Sequence, residues 1–350
     1  MKTKMIRSVV TLLSLITLHF SSIAEEAESS VEDALIIPHQ AGACNADRQT
    51  PIQINNQDHH DYVCGIETIY ENDDRKNYYS TTDVEKKAMQ ATAIRVGRHN
   101  VDIKNLDSSG KIVPKYQDSR LCPCEEQFHQ EKILGDCSAF KIDGYKDLLA
   151  TAGHCIISKE VCVTRDLYVF RHHRYDPQQT FEPGIDPSDV YSCVDFYRPK
   201  SVSADGNDWA VVKVDREINA PGIAIRQEAS NEIDETDVVA IVGYPMGLPS
   251  KIADNGKVVY VDEQIFLARV DAYGGNSGSA ILNSELLQRG VLMAEGVLAK
   301  GAADFCRTQP CKVSKKCQDE DNGCVGEKVT HSRKLHEGIQ KLLSEYHRSK

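Results

Sequence analysis

The sequence predicts an all-β protein that ends in one α-helix. Short apolar runs recur along most of the chain, each bounded by turn residues such as Gly and Asp. Strands at that spacing build barrels or sandwiches. At the end the pattern changes to a 3.6-residue stripe, which is helical. The 350 residues leave room for about two domains, or for one double unit with extensions.

The N-terminus reads as a secretory signal over residues 1–24. Lys2, Lys4 and Arg7 supply a positive start, and Val9 to Phe20 is mostly apolar but short for a bilayer. Ser22-Ile23-Ala24 offers small residues for cleavage before Glu25. No later apolar run is long enough to span a membrane, so stable membrane association is not expected once the signal is removed. Residues 25–62 are polar and acidic without periodicity, as in a pro-segment or flexible extension. The folded unit is expected over 63–350.

Strands are predicted at Ala91–Val96, Ala139–Ile142, Leu148–Thr151, Leu167–Phe170 and Trp209–Val214. A second set follows at Val238–Tyr244, Val258–Val261, Ile265–Val270, Ser279–Leu282 and Val291–Leu298. Tyr175 to Pro187, rich in Pro, Gln and Asp, reads as a surface loop, with His172 and His173 solvated beside it. Leu335, Ile339, Leu342, Leu343 and Tyr346 form one helical stripe, with Ser332 as its expected N-cap and a helix over 332–347.

Chemistry concentrates at Ala272-Tyr273-Gly274-Gly275-Asn276-Ser277-Gly278-Ser279-Ala280. Glycines beside a serine let the backbone take positive φ and bring amide N–H groups close to a carbonyl. By itself the run is an ordinary turn. Upstream, His154 follows the apolar run Leu148-Leu149-Ala150-Thr151, and Asp208 opens Trp209-Ala210-Val211-Val212. A serine hydroxyl needs a base within reach, and the base needs an orienting group.

TAGHC around His154, D-x-A-V-V after Asp208 and GNSGS around Ser277 resemble the chymotrypsin/trypsin-like serine proteases, and the GNSGS form is similar to their bacterial V8-like branch. Ile69-Tyr70-Glu71-Asn72-Asp73-Asp74-Arg75 followed by Tyr78 also resembles the start of V8-like proteases. The resemblance implies two six-stranded antiparallel β-barrels, about 63–205 and 206–331, before the C-terminal helix. It implies a catalytic triad of His154, Asp208 and Ser277, with an oxyanion hole from the N–H groups of Gly275 and Ser277. It places Asp271, six residues before the serine, at the base of a specificity pocket that would favour Arg or Lys, with Glu327 nearby. A preference for Glu through Thr330 and His331 is the V8-like alternative. Gly296 to Gly301 resembles the segment that pairs with an extended substrate, which makes Gly301 a substrate-binding candidate.

The sequence departs from trypsins within the serine loop. Asn276 stands where trypsins carry an aspartate that pairs with a newly cut N-terminus, and Asn makes no such ion pair. Tyr273 stands in place of a cysteine beside the pocket.

Twelve cysteines in an exported chain point to disulfides. Neighbouring strands would join Cys137 to Cys155, where the resembled family carries a cystine. Cys122-Pro123-Cys124 with His129, and the run from Cys306 to Cys324, are too irregular for zinc and read as disulfides. No metal and no cofactor are expected. A net charge of −11 argues against nucleic acid. The expected protein is a secreted or periplasmic monomer acting on polypeptide substrates; the alternative is a silent protease-fold binding protein. An α/β-hydrolase would need G-x-S-x-G and a histidine last in the chain.

Overall fold

A computed structural model describes residues 69–348, apart from 71, 124, 228–232, 302 and 318–324. The expected signal and pro-segment, with Cys44, Cys64, Cys124, Cys324 and the side chains of Cys306 and Tyr346, lie outside the described residues.

Two closed barrels of six antiparallel strands make the fold. The first uses β1 (Thr92–Gly97), β2 (Cys137–Lys141), β3 (Leu148–Thr151), β4 (Asp166–Phe170), β5 (Val190–Tyr197) and β6 (Ala210–Val214). Around the ring their order is β6-β3-β2-β1-β4-β5. The second uses β7 (Val238–Gly243), β8 (Lys251–Val261), β9 (Ile265–Arg269), β10 (Ala280–Asn283), β11 (Met293–Lys300) and β12 (Glu327–His331). Their order is β11-β10-β7-β8-β9-β12, closed by β12 on β11. Counted from its own first strand, each barrel has the same neighbours in the same places. Because β6 closes the first barrel, the division between barrels falls after Val214 rather than at 205/206.

Side chains alternate across each strand, and both faces are apolar where the barrels meet. Val239 and Ile241 fill the second barrel with Phe266, Ile281 and Val329. Their neighbours Ala240 and Val242 join Phe140, Leu148, Ala150 and Val211 in a shared core. Leu149 and Val212 point into the first barrel. Runs such as Leu148-Leu149-Ala150 are therefore continuously apolar, because one face fills a barrel and the other seals it to its partner.

The sequence reading missed β5 and β12, and it began β8 too late. Asp254-Asn255-Gly256 looks like a turn, yet it lies within β8 as an irregularity opposite β7. The leading segment satisfies it: Asp74 Oδ2 accepts from Asn255 N–H at 3.0 Å, and Lys76 Nζ pairs with Asp254 at 2.9 Å.

Three short helices were also unforeseen. Helix α1 (Asp83–Gln90) starts on a reciprocal Thr82/Glu85 cap, α2 (Lys159–Arg165) on Ser158, and α3 (Ser284–Gln288) on Asn283. Helix α4 (Leu335–Arg348) packs Leu335, Ile339 and Leu342 into the shared core beside Trp209. Ser332 is not its cap. That residue is buried in a preceding 3-10 turn, where its hydroxyl donates to Ala294 O and accepts from Arg226 N–H. Among the described residues no helix is long and apolar enough to cross a membrane.

Cys137–Cys155 ties β2 to the turn after β3, Cys162–Cys193 pins α2 to β5, and Cys122–Cys311 joins two distant loops. Cys122 is thus spent in a disulfide. His129 Nδ1 lies 2.9 Å from Glu126 O. His172 and His173 are not solvated. They are buried, His172 between the rings of Tyr116 and Tyr244 and His173 against Tyr78.

Candidate active site

His154 sits in the short turn that ends β3, and Asp208 lies two residues before β6. Those strands are paired, Ala210 opposite Thr151, so the two side chains meet at one barrel end. Asp208 holds His154 with both oxygens. Oδ1 accepts the main-chain N–H of His154 at 2.9 Å, and Oδ2 accepts from ring Nδ1 at 2.7 Å. The carboxylate is buried while the imidazole is 43% exposed at its side chain. One nitrogen is therefore committed to the carboxylate and the other is left for chemistry.

Ser277 comes from the loop before β10, in the second barrel. It lines the same cavity as His154 and Asp208, about 450 Å³ in volume. The carbonyls of Gly274 to Ser277 are all engaged. Gly274 O accepts from Met246 N–H at 2.6 Å, Gly275 O from the Ser138 hydroxyl at 2.8 Å, and Asn276 O from Ser279 N–H at 2.7 Å. Ser277 O accepts from Ser138 N–H at 2.8 Å. In a trans peptide the N–H points opposite to the C=O. The N–H groups of Gly275 and Ser277 are thereby turned away from Met246 N and Ser279 N. Gly275 holds φ +101° and Gly278 φ +88°, values that suit glycine. Asn276 is buried, and its Oδ1 accepts from the Ser279 hydroxyl. Ser138 was not foreseen; nothing in the sequence marks a serine at a strand's start as a partner of a loop 137 residues away.

Asp271 does not line this cavity. It borders another, with Tyr70, Asn72 and Asp74. Its carboxylate accepts from Tyr70 N–H at 2.7 Å and Asp74 N–H at 2.9 Å, so it anchors the leading segment. Besides Asp208, the acidic groups that line the cavity are Glu327, on β12, and Asp304. Glu327 is 1% exposed and lies against Gly301, which also lines the cavity. Asp304 accepts from Gly274 N–H at 2.8 Å, and burial raises its carboxyl above the usual range. Lys300 stands exposed at the rim. His331 and Thr330 do not line the cavity; His331 Nε2 donates to Asp262 O.

The one group of metal-ligand side chains close enough to share an ion, among the described residues, is Cys137, His154 and Cys155. Its two sulfurs are bonded to each other and offer no thiolate.

Residues 137–288 match the family described as trypsin-like peptidase domain. No curated protein matches the sequence. Similar solved structures include Glu endopeptidase in complex with MPD, at 16% identity over 78% of this chain and 98% of that chain, with a TM-score of 0.45. The Vibrio cholerae VesB protease is 13% identical over 77% of this chain and 66% of that chain, with a TM-score of 0.46. Human heparin binding protein is 12% identical over 77% of this chain and 96% of that chain, also with a TM-score of 0.46.

Proposed function

Because the chain carries a trypsin-like peptidase domain, we propose that it is a serine endopeptidase that favours Lys or Arg before the cut bond. The observation that carries this reading is the two-oxygen hold of Asp208 on His154, in the cavity that Ser277 lines. In the proposed reaction His154 takes the Ser277 proton while Oγ attacks the peptide carbonyl carbon. The C–N bond then breaks, the leaving amine takes that proton, and an acyl-enzyme remains. Water, deprotonated by the same imidazole, releases the acid and restores Ser277. Asp208 fixes the tautomer and stabilises the imidazolium.

The N–H groups of Gly275 and Ser277 take the oxyanion, and losing one such donor costs about 3–4 kcal/mol of transition-state stabilisation. Glu327 and Asp304 supply the negative charge that favours a basic side chain, the task first assigned to Asp271. Gly301, without a side chain, leaves room for Glu327 and pairs with the extended substrate.

Three disulfides among the described residues fit an oxidising compartment, so the protein is read as an exported monomer acting on polypeptides. Peptide-library cleavage read by mass spectrometry, with Ser277→Ala as control, tests the assignment. Cuts after Lys and Arg that vanish in Ser277→Ala are expected. A folded, processed protein that neither cuts peptides nor reacts with a fluorophosphonate at Ser277 would instead be a binding protein.

A further inference from the structure

The leading segment holds the serine loop at two points. Asp271 accepts the Tyr70 and Asp74 amides, and two residues further on Arg75 grips Tyr273. The Arg75 side chain is 1% exposed. Its Nε and Nη2 donate to the two Asp73 oxygens at 2.7 and 2.6 Å, and Nη2 also donates to the Tyr273 hydroxyl at 2.8 Å. The guanidinium lies 3.9 Å from the centre of the Tyr273 ring. Glu126 completes the cage. Its Oε2 accepts from the Tyr273 hydroxyl at 3.0 Å and from Ser314 Oγ at 2.7 Å, while Oε1 accepts from Ser314 N–H at 2.6 Å. Tyr273 lines the cavity and immediately precedes Gly274 and Gly275.

A buried guanidinium is costly unless its fork is used. Here Nε and Nη2 are spent on one carboxylate and one phenol, while Nη1 has no hydrogen-bond partner among the described residues. Tyr273 itself lines the cavity, and its main-chain O accepts Asn276 N–H at 2.9 Å, so it roots the turn that carries Gly275 and Ser277. Asn276 removes the ion pair by which trypsins shape this turn. Arg75 instead brings an internal cation to the same loop, three residues earlier.

We infer that Arg75 is a positioning residue: through Tyr273 it holds the Gly274–Ser277 turn in the geometry that binds the oxyanion, without a newly cut N-terminus. The inference rests on the peptidase reading for its catalytic consequence, but the order of the turn can be read without turnover.

The test compares wild type with Arg75→Met, Arg75→Lys, Tyr273→Phe and the Arg75→Met/Tyr273→Phe pair in the full chain. Two readouts are taken: steady-state kinetics on a peptide that wild type cuts, and amide hydrogen exchange by mass spectrometry. For Arg75→Met, kcat falls about tenfold or more while KM shifts less than about threefold, because the lost contact serves the transition state. Exchange over residues 272–279 speeds about tenfold while β1 and β7 keep their protection. Arg75→Lys, which keeps the charge without the fork, falls between. The double variant is no worse than Arg75→Met alone, because both changes break one linkage.

Unchanged exchange and kcat in Arg75→Met, or losses that multiply in the double variant, overturn the inference. Should Arg75→Met fail to fold, Arg75→Lys decides by the same readouts. A wild type without turnover sinks the peptidase reading only, and exchange then decides the role of Arg75.

Discussion

Glu327 occupies the space that a side chain at Gly301 would need: a Cβ there would stand 1.9 Å from Glu327 Oε2. Both residues line the cavity that Ser277 lines. Glu327→Gln is expected to lower kcat/KM for Lys and Arg substrates by about tenfold or more, the scale of a lost charge-assisted contact. Asp271→Asn should leave the ranking of substrates as it was, since that carboxylate faces the Tyr70 and Asp74 amides. Matched peptides differing only at the residue before the cut decide it. A loss of basic preference confined to Asp271→Asn would restore the first assignment.

Asp208→Asn keeps the shape but not the charge, and its amide can present an N–H to His154 Nδ1. The wrong tautomer then faces Ser277, and kcat should fall by about 10⁴-fold, the loss known for such a change in a triad. KM should move little. Thermal melting should be nearly that of wild type, and a drop in kcat below tenfold would show that Asp208 does not orient the base.

Gly278→Ala places a Cβ 2.1 Å from Ser138 O and 2.3 Å from Thr151 Oγ1, at a φ of +88°. The backbone must shift or the turn must open, and a destabilisation of about 2 kcal/mol or more is expected. Denaturant unfolding measures it. A value under about 0.5 kcal/mol would mean that the turn relaxes freely.

Burial pushes the His172 and His173 imidazoles down to about 3. Both stay neutral in the fold, while an unfolded chain protonates them below about 6.5. Their contribution to stability is therefore complete above pH 6.5 and declines as pH falls toward 3, by up to about 1.4 kcal/mol per pH unit for each site. His172 Nε2 has no hydrogen-bond partner among the described residues, and the ring stacks on Tyr116 and Tyr244. His172→Phe should keep the stacking and lose the titration. Melting followed from pH 7 to pH 4.5 should fall less steeply than in wild type; an unchanged slope would place the acid sensitivity elsewhere.

The legible parts of the site were those whose chemistry is local. A histidine closing an apolar strand, an aspartate opening another and a serine among glycines each carry their own signature. The structure brings His154, Asp208 and Ser277 to one cavity. Strands with both faces apolar, such as Leu148–Thr151, were legible for the same reason. The missed strands β5 and β12 carry mixed polar residues, Tyr191-Ser192-Cys193 in one and Glu327-Lys328 in the other. Each is paired along both edges within its ring, β5 with β4 and β6, and β12 with β9 and β11.

The acidic residues of the cavity were less legible. Counting back from the serine led to Asp271, because spacing along a loop does not say which way a carboxylate turns. The Tyr70 and Asp74 amides decide that, and they come from 201 and 197 residues away. The solvated reading of His172 and His173 failed likewise: the polar neighbours in the chain are not the Tyr116 and Tyr244 rings that enclose His172.

Alone, the sequence determined the strand-rich class, the reactive residue types and the glycine turn, since each depends on neighbours within a few positions. Tertiary structure decided the closure of the rings, the facing of Glu327 and Asp304 into the cavity, and the hold of Arg75 and Ser138 on the serine loop. Those choices depend on which distant backbone groups meet a side chain, and contact across a closed barrel leaves no periodic trace along the chain.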